Sequence, residues 1–386
     1  MARNRDRLGP IGVDLGGHRV KLLQLAERGG ELSVLAFAEF PMPAVETPGE
    51  RDEQLAHLLS RAIRAGGFVG RRAVSCLGPG EYELKNVRVP PMPPDELASA
   101  VELEALERFA ADPGAMQFRH LPAGQVRQGN DVREEVIVFA TQRAAIDRRV
   151  ALLERAGLDP MALDIAPGAL ARAFGRYLRR ASDSAGVNLF LDVGERGTCL
   201  TMMRGAELCF VKLIDVGGAV FTRGVAQRLS IDPAEAHALR LRVMRARLRP
   251  ADVEPDPHLT PELIESVADG VRPGAEQLAR EVHLSLRYVT VTFRGQRPDC
   301  ITFVGGEAHE PVLLPLVGQG LDIACTVGDP MLGIEGSEGV SADETRGYVP
   351  AWAVATGLAL RGLQAGTPPT AAQPAASAVD KAGVPA

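Results

Sequence analysis

Two short stretches of the chain place an aspartate at the end of an apolar run and glycines immediately after it. They are IGVDLGG around Asp14 and LDVGERG around Asp192. Glycine lets backbone N–H groups approach an anion closely. A carboxylate would repel a phosphate directly, but it can hold a hydrated Mg²⁺ that bridges phosphate oxygens. One such loop is common in ordinary hairpins, so it is the pair that favours a site for phosphate and Mg²⁺.

A third stretch, CITFVGGEAHE, places Gly305 and Gly306 between a short apolar strand and a helix-like segment. A glycine pair at such a turn lets a nucleobase and ribose lie against the backbone, near a helix N-terminus. The same pair is compatible with a simple tight connection. The stretch therefore suggests a nucleoside without deciding between the two interpretations.

The elements that must position these loops repeat within the chain. The first loop lies in IGVDLGGHRVKLLQL, which is followed by a glycine turn and ELSVLAFAEF. The second lies in NLFLDVGERGTCLTMM, which is followed by a turn and ELCFVKLIDVGG. Each copy reads as three strands, and a helix-rich stretch follows each copy. The repetition predicts an α/β fold with two similar domains that face each other across a cleft.

Composition and charge limit the classes of function. The 386 residues are enough for two domains, and the net charge of −6 argues against a dedicated nucleic-acid binder. The five cysteines include no CxxC pair and the seven histidines are dispersed, so neither a zinc site nor a disulfide framework is predicted. The N-terminus lacks a signal-peptide core, and no window reaches ~18 uninterrupted apolar residues. We expect a cytoplasmic protein that meets a membrane only through a partner.

The order of these motifs resembles the actin-like ATPase superfamily. Within it, the chain is similar to the PilM-like type IV pilus assembly proteins, relatives of the division protein FtsA, from about residue 8 to 363. Beside the three loops, the resemblance rests on VELEALERFAAD, VIVFATQRAAIDRRVALLERAGLDPMALDIAPGALARAF and WAVATGLALRG. It implies two actin-like, ribonuclease-H-like domains around a nucleotide cleft, with a small α+β insertion in the first half.

The resemblance implies ATP and Mg²⁺ as ligands, with Asp14 and Asp192 holding Mg²⁺ through water. It assigns ATP contacts to the first hairpin, the second hairpin, the glycine turn and the helix after Asp232. These residues are Gly16, Gly17, His18, Arg19 and Lys21; Gly194, Glu195, Arg196 and Gly197; Gly305 and Gly306; and Glu235 and Arg240.

The resemblance also implies a division of the chain and a partner. We expect the first actin-like domain in 8–73 and 175–185, the inserted subdomain in 74–174, the second domain in 186–363 and a disordered, Ala- and Pro-rich tail in 364–386. The inserted subdomain would bind the cytoplasmic tail of a PilN-like inner-membrane protein. That partner would hold the chain at the inner membrane, within a pilus or secretion machinery. A homo-oligomer is compatible with this organisation.

Departures from the family pattern keep a nucleotide-free scaffold open as an alternative. Gly17 and His18 stand where hydroxyl residues are expected, and Glu195 and Arg196 stand where small or hydroxyl residues are usual. Glu195 would repel phosphate unless it points away or helps to hold the metal. Since no residue is evident that would orient an attacking water, we expect a slow ATPase at most. A sugar kinase of the same superfamily is the enzyme-class rival, but the sequence lacks the catalytic-base loop of those enzymes.

Overall fold

The computed structural model describes residues 7–45, 47–109, 112, 114–128, 131–177, 186–248, 256–292, 297–341 and 349–363. The predicted disordered tail, 364–386, lies outside these residues, as do residues 178–185 of the predicted first domain. Among the helices of the described ranges, none combines the length and the apolarity that a membrane span requires.

The first sheet carries the Asp14 hairpin. Its strands are β1 (Arg7–Leu8), β2 (Ile11–Leu15), β3 (Arg19–Arg28), β4 (Glu31–Pro41), β5 (Arg72–Leu77) and β9 (Asp159–Ile165). The order is β1-β3-β2-β5-β9, with β4 also paired to β3. β2 is antiparallel to β3 and parallel to β5, which is parallel to β9. Leu22 and Leu23 are both buried in the middle of β3, because Leu22 faces one hydrophobic cluster and Leu23 faces another on the opposite side.

The second sheet carries the Asp192 hairpin. Its strands are β10 (Val187–Val193), β11 (Thr198–Arg204), β12 (Glu207–Ile214), β13 (Cys300–Val304) and β14 (Ala324–Val327). They lie in the order β12-β11-β10-β13-β14. The first three pair antiparallel, and β10, β13 and β14 pair parallel. The path β4-β3-β2-β5-β9 of the first sheet has the same order and directions, so the repeated three-strand pattern predicted from the sequence is confirmed.

A separate three-stranded sheet lies between β5 and β9 in the sequence. It consists of β6 (Glu83–Val89), β7 (Met116–Gln128) and β8 (Asp131–Gln142), paired antiparallel in the order β6-β8-β7. Val101 and Ala105, on a helix, pack against it. The boundaries 74–174 predicted for the inserted subdomain are too wide, because they include β9 and most of β5, which hydrogen bond within the first sheet. The strands of the separate sheet span only 83–142.

Helices cover the sheets and connect the two halves. They are α1 (Pro48–Ala65), α2 (Pro94–Arg108), α3 (Arg143–Arg155), α4 (Ala166–Gly175), α5 (Gly218–Leu229), α6 (Pro233–Leu248), α7 (Pro261–Thr292), α8 (Leu313–Gly318), α9 (Glu338–Ser341) and α10 (Ala353–Ala359). Helices α4 and α10 share one cluster with Val74 of the first sheet and Phe190 of the second. They meet closely at Gly357, where a Cβ would lie 1.9 Å from the carbonyl oxygen of Ala169. This packing fixes one sheet relative to the other and so sets the cleft between them.

Candidate functional site

The two hairpin aspartates line the same cavity. Asp14 is the penultimate residue of β2, and Asp192 is the penultimate residue of β10. The cavity between the two sheets has a volume of about 700 Å³, which lies within the usual range for small-molecule sites. Its lining also includes eleven of the predicted ATP contacts: Gly16, Gly17, His18, Arg19, Lys21, Gly194, Glu195, Arg196, Gly197, Gly305 and Gly306.

The electrostatics of the aspartate pair fit a bound cation. Burial, and then the negative charge of Asp14, raise the pKa of Asp192 to about 7. Burial also raises the pKa of Asp14, and the nearby Lys21 offsets part of this effect. Among the described residues, neither carboxylate forms a salt bridge. A hydrated divalent cation between them would stabilise both charged forms, so the donor set fits Mg²⁺.

The glycine turn after β13 supports Asp192. Gly305 has φ +90° and its backbone lies so close to the aspartate that a Cβ would be 2.5 Å from Asp192 Oδ1 and 2.5 Å from the carbonyl oxygen of Val193. Only glycine satisfies both conditions without strain. Gly306 has no atom within 4 Å of a Cβ position. The turn therefore presents open backbone to the cavity, as the prediction of an adenosine contact requires.

The predicted cationic residues have different surroundings. Lys21 is buried and faces Asp14 across the β2–β3 pair. The Arg19 guanidinium bonds Glu39 at 2.6 Å on β4. Arg196 is exposed on the second hairpin. Lys21 therefore balances the charge of Asp14, and Arg196 is the cation most available to a phosphate.

Two predicted ATP contacts lie away from the cavity surface. Glu235 is exposed on the first turn of α6 and does not line the cavity. Arg240 is buried and bonds the carboxylates of Glu307 and Glu310, the latter at 2.8 Å, and the hydroxyl of Thr222 at 2.9 Å. Burial lowers the pKa of Arg240, but the two carboxylates outweigh it and the pKa is raised overall. This position makes Arg240 a support beneath the glycine turn.

The two phosphate hairpins touch each other. His18 Nε2 lies 2.9 Å from Glu195 Oε1, and a Cβ on Gly17 would lie 2.7 Å from Glu195 Cβ. The hydrogen bond to Glu195 raises the pKa of His18 more than burial lowers it. Burial alone would raise the pKa of Glu195, but the bond to His18 lowers it overall. The Glu195 carboxylate thus points towards the first hairpin. This is one of the arrangements in which its negative charge would not repel a bound phosphate.

Sequence reasoning missed two residues of this region. The His237 ring lies 4.2 Å from the His18 ring, centroid to centroid, and Glu307 lines the cavity just after the glycine turn. The Asp232-Pro233 pair predicts where α6 begins but not which loop the helix meets, so no signal marked His237. The acidic residue after Gly306 is visible in the sequence, but its pairing with Arg240 is not.

Comparisons with known proteins identify the family. A model of the type IV pilus assembly protein PilM matches residues 12–254 and 257–363. The chain belongs to the PilM family. A solved structure of a "PilM-PilN type IV pilus biogenesis complex" is 25% identical, with a TM-score of 0.73, and the match covers 94% of this chain and 100% of that chain.

A second solved structure is similar in fold. It is the ethanolamine utilization protein EutJ from Carboxydothermus hydrogenoformans, which is 16% identical with a TM-score of 0.53, over 92% of this chain and 90% of that chain. The predicted fold class, an α/β protein with two actin-like domains, is confirmed by these likenesses together with the paired sheets.

Proposed function

We propose that this PilM-family chain is an ATP- and Mg²⁺-binding adaptor of type IV pilus assembly. The observation that carries the proposal is the pair of aspartates that line one cavity, where burial, and then the charge of Asp14, raise the pKa of Asp192 to about 7. Asp14 and Asp192 would hold hydrated Mg²⁺, which would bridge the phosphate oxygens. The glycine backbones of both hairpins would approach the phosphates, and Gly305 and Gly306 would face the adenosine.

We further propose that hydrolysis is slow at most. Orienting an attacking water needs a group that is free to accept its proton. Two of the acidic residues at the phosphate loops have other partners, since Glu195 bonds His18 and Glu307 bonds Arg240. The cleft is therefore suited to binding a nucleotide more than to cleaving it.

Asp192→Ala tests the nucleotide site. A carboxylate's share of a hydrated-metal contact is on the order of 1–3 kcal/mol, so Mg-ATP affinity should fall ~5- to 150-fold, and affinity for ATP in EDTA should change much less. Asp215→Ala is the matched control, because Asp215 is an exposed carboxylate that lines the same cavity. Equal loss of affinity with and without Mg²⁺, or none, would contradict the metal role of Asp192.

A nucleotide-free scaffold is the second candidate function. The observation that favours it is the direct His18–Glu195 contact of 2.9 Å, because a phosphate between the hairpins would have to separate them. Absence of ATP binding by the unaltered protein at millimolar ligand would decide for this function.

We propose that the partner is the cytoplasmic tail of a PilN-type inner-membrane protein, which would place the chain at the cytoplasmic face of that membrane. The similar solved protein is described in complex with PilN. A groove of about 430 Å³ between β6, β12 and α7 fits an extended tail, and its lining includes Leu84, Phe210, Leu284 and Tyr288. β6 and β12 each lie at the end of their sheet, so either could pair with an added strand.

Leu284→Glu tests the groove. Leu284 is 47% exposed in the groove wall. A bound PilN-type tail peptide would bury the charge of the new glutamate against an apolar side chain, so its affinity should fall at least tenfold. Val291→Glu is the matched control, since Val291 is 83% exposed on the same helix and does not line the groove. Fluorescence anisotropy with a labelled tail peptide measures both. Equal affinities of the two variants would place the tail elsewhere.

A further inference from the structure

Three potential metal ligands from distant parts of the chain meet where the hairpins touch. They are His18 of the first hairpin, Glu195 of the second and His237 of α6, and one ligand atom of each lies within 4.8 Å of the others. His18 Nε2 and Glu195 Oε1 are already 2.9 Å apart. The site is open on one side, because the His18 side chain is 47% exposed.

The His18–Glu195 bond leaves two polar atoms of this cluster without a hydrogen-bond partner in the described part of the chain. Glu195 Oε2 and His237 Nδ1 are both buried, and neither has a hydrogen-bond partner among the residues that the structure describes. A buried polar atom without a hydrogen-bond partner is destabilising. The carboxylate oxygen carries a lone pair, and so does the imidazole nitrogen when it is not protonated. One positive ion could therefore accept a lone pair from each.

We propose that His18, Glu195 and His237 bind one divalent transition-metal ion of the zinc class. Two imidazoles and one carboxylate are a ligand set that zinc takes with an open fourth position, at bond lengths of about 2.0–2.2 Å. Those lengths place tetrahedral ligand atoms roughly 3.4 Å apart. The wider separations, up to 4.8 Å, have to shorten by as much as about 1.4 Å. The 2.9 Å His18–Glu195 contact has to lengthen slightly, and the exposed His18 has the rotamer freedom for both changes.

This ion is distinct from Mg²⁺ at the aspartate pair. The Asp14–Asp192 site offers oxygen ligands only, which suit Mg²⁺, whereas imidazole selects zinc, copper, nickel or cobalt. The bound ion would connect the hairpin of the first sheet to the hairpin and helix of the second half. It would therefore fasten the two walls of the cleft at the phosphate loops, whether or not ATP binds there.

Titration of the metal-stripped full chain with Zn²⁺ and Co²⁺ tests the inference. We expect one tightly bound ion per chain, and His237→Gln and Glu195→Gln should each weaken it at least about tenfold, since loss of even an outer-shell partner costs 10- to 100-fold. His18→Gln, on an exposed position, should do the same and guards against variants that fail to fold. His258→Gln, an exposed histidine elsewhere, should leave the affinity unchanged.

Two further readouts separate this site from its competitors. The Co²⁺ complex should lack thiolate-to-cobalt charge-transfer absorption, and the Asp14→Asn, Asp192→Asn double variant should keep its Zn²⁺ affinity. Zn²⁺ affinity that is equal in the unaltered chain and His237→Gln would overturn the inference. So would thiolate absorption from Cys300 or Cys325, or loss of the ion in the double aspartate variant.

Discussion

Replacing Asp192 by asparagine is expected to stabilise the ligand-free protein at alkaline pH. Burial, and then the charge of Asp14, raise the pKa of Asp192 from 3.8 to about 7. The folded state therefore keeps a proton that the unfolded state releases, and the free energy of unfolding falls as the pH rises from about 4 to 7. Above that range the loss of stability caused by the ionised Asp192 is complete. Asparagine carries no charge and removes it.

The magnitude follows from the interval between the two pKa values. The step from 3.8 to about 7 corresponds to about 4 kcal/mol at ~1.36 kcal/mol per pH unit. Water in the open cleft screens part of the interaction, so we expect Asp192→Asn to gain about 1–3 kcal/mol at pH 8. At pH 5 the folded carboxyl is mostly protonated, and the gain should be under about 1 kcal/mol.

Urea unfolding in EDTA at pH 5 and pH 8 measures this difference. Asp215→Asn is the control, because it removes an exposed carboxylate of the same cavity and should change stability by no more than about 0.5 kcal/mol. A loss of stability for Asp192→Asn at pH 8, or the same gain at both pH values, would refute the electrostatic reasoning.

Two further predictions concern the support of the glycine turn, and urea unfolding measures both. Gly305→Ala should destabilise the fold by at least about 2 kcal/mol, because φ is +90° and a Cβ would lie 2.5 Å from the neighbouring carboxylate; Gly306→Ala should have little effect, and equal effects would contradict the geometry. Arg240→Met leaves Glu307 and Glu310 buried without their cation and should cost about 3–5 kcal/mol. Adding glutamine at both glutamate positions should restore part of this loss, and no restoration would argue against the ion-pair explanation.

The sequence predicted the twin sheets because their signals are local. An apolar run, an aspartate and glycines at a hairpin are visible within about fifteen residues, and their repetition specifies the order of three strands twice. The parallel strands that complete each sheet are distant in sequence. β5 and β9 flank the inserted sheet in the chain but hydrogen bond within the first sheet, which is why the predicted boundaries were too wide.

Only the parts of the site that lie at strand ends and turns could be predicted from the sequence. The aspartates and glycines follow from strand ends and turns, whereas the side-chain partners depend on tertiary packing. The Asp232-Pro233 pair predicts where α6 begins, but not that Arg240 meets Glu307 or that His237 meets His18. These contacts join segments far apart in the chain, and no local pattern encodes them.

The most direct test of the central claim is a crystal structure of the protein with a non-hydrolysable ATP analogue and Mn²⁺ in place of Mg²⁺. Anomalous scattering locates the ion without ambiguity. The account predicts one Mn²⁺ between the Asp14 and Asp192 carboxylates, bridged to them by water, with the phosphates along both glycine hairpins and the adenosine at Gly305 and Gly306. A cleft without nucleotide at millimolar analogue, or a nucleotide whose metal lies away from both aspartates, would contradict it.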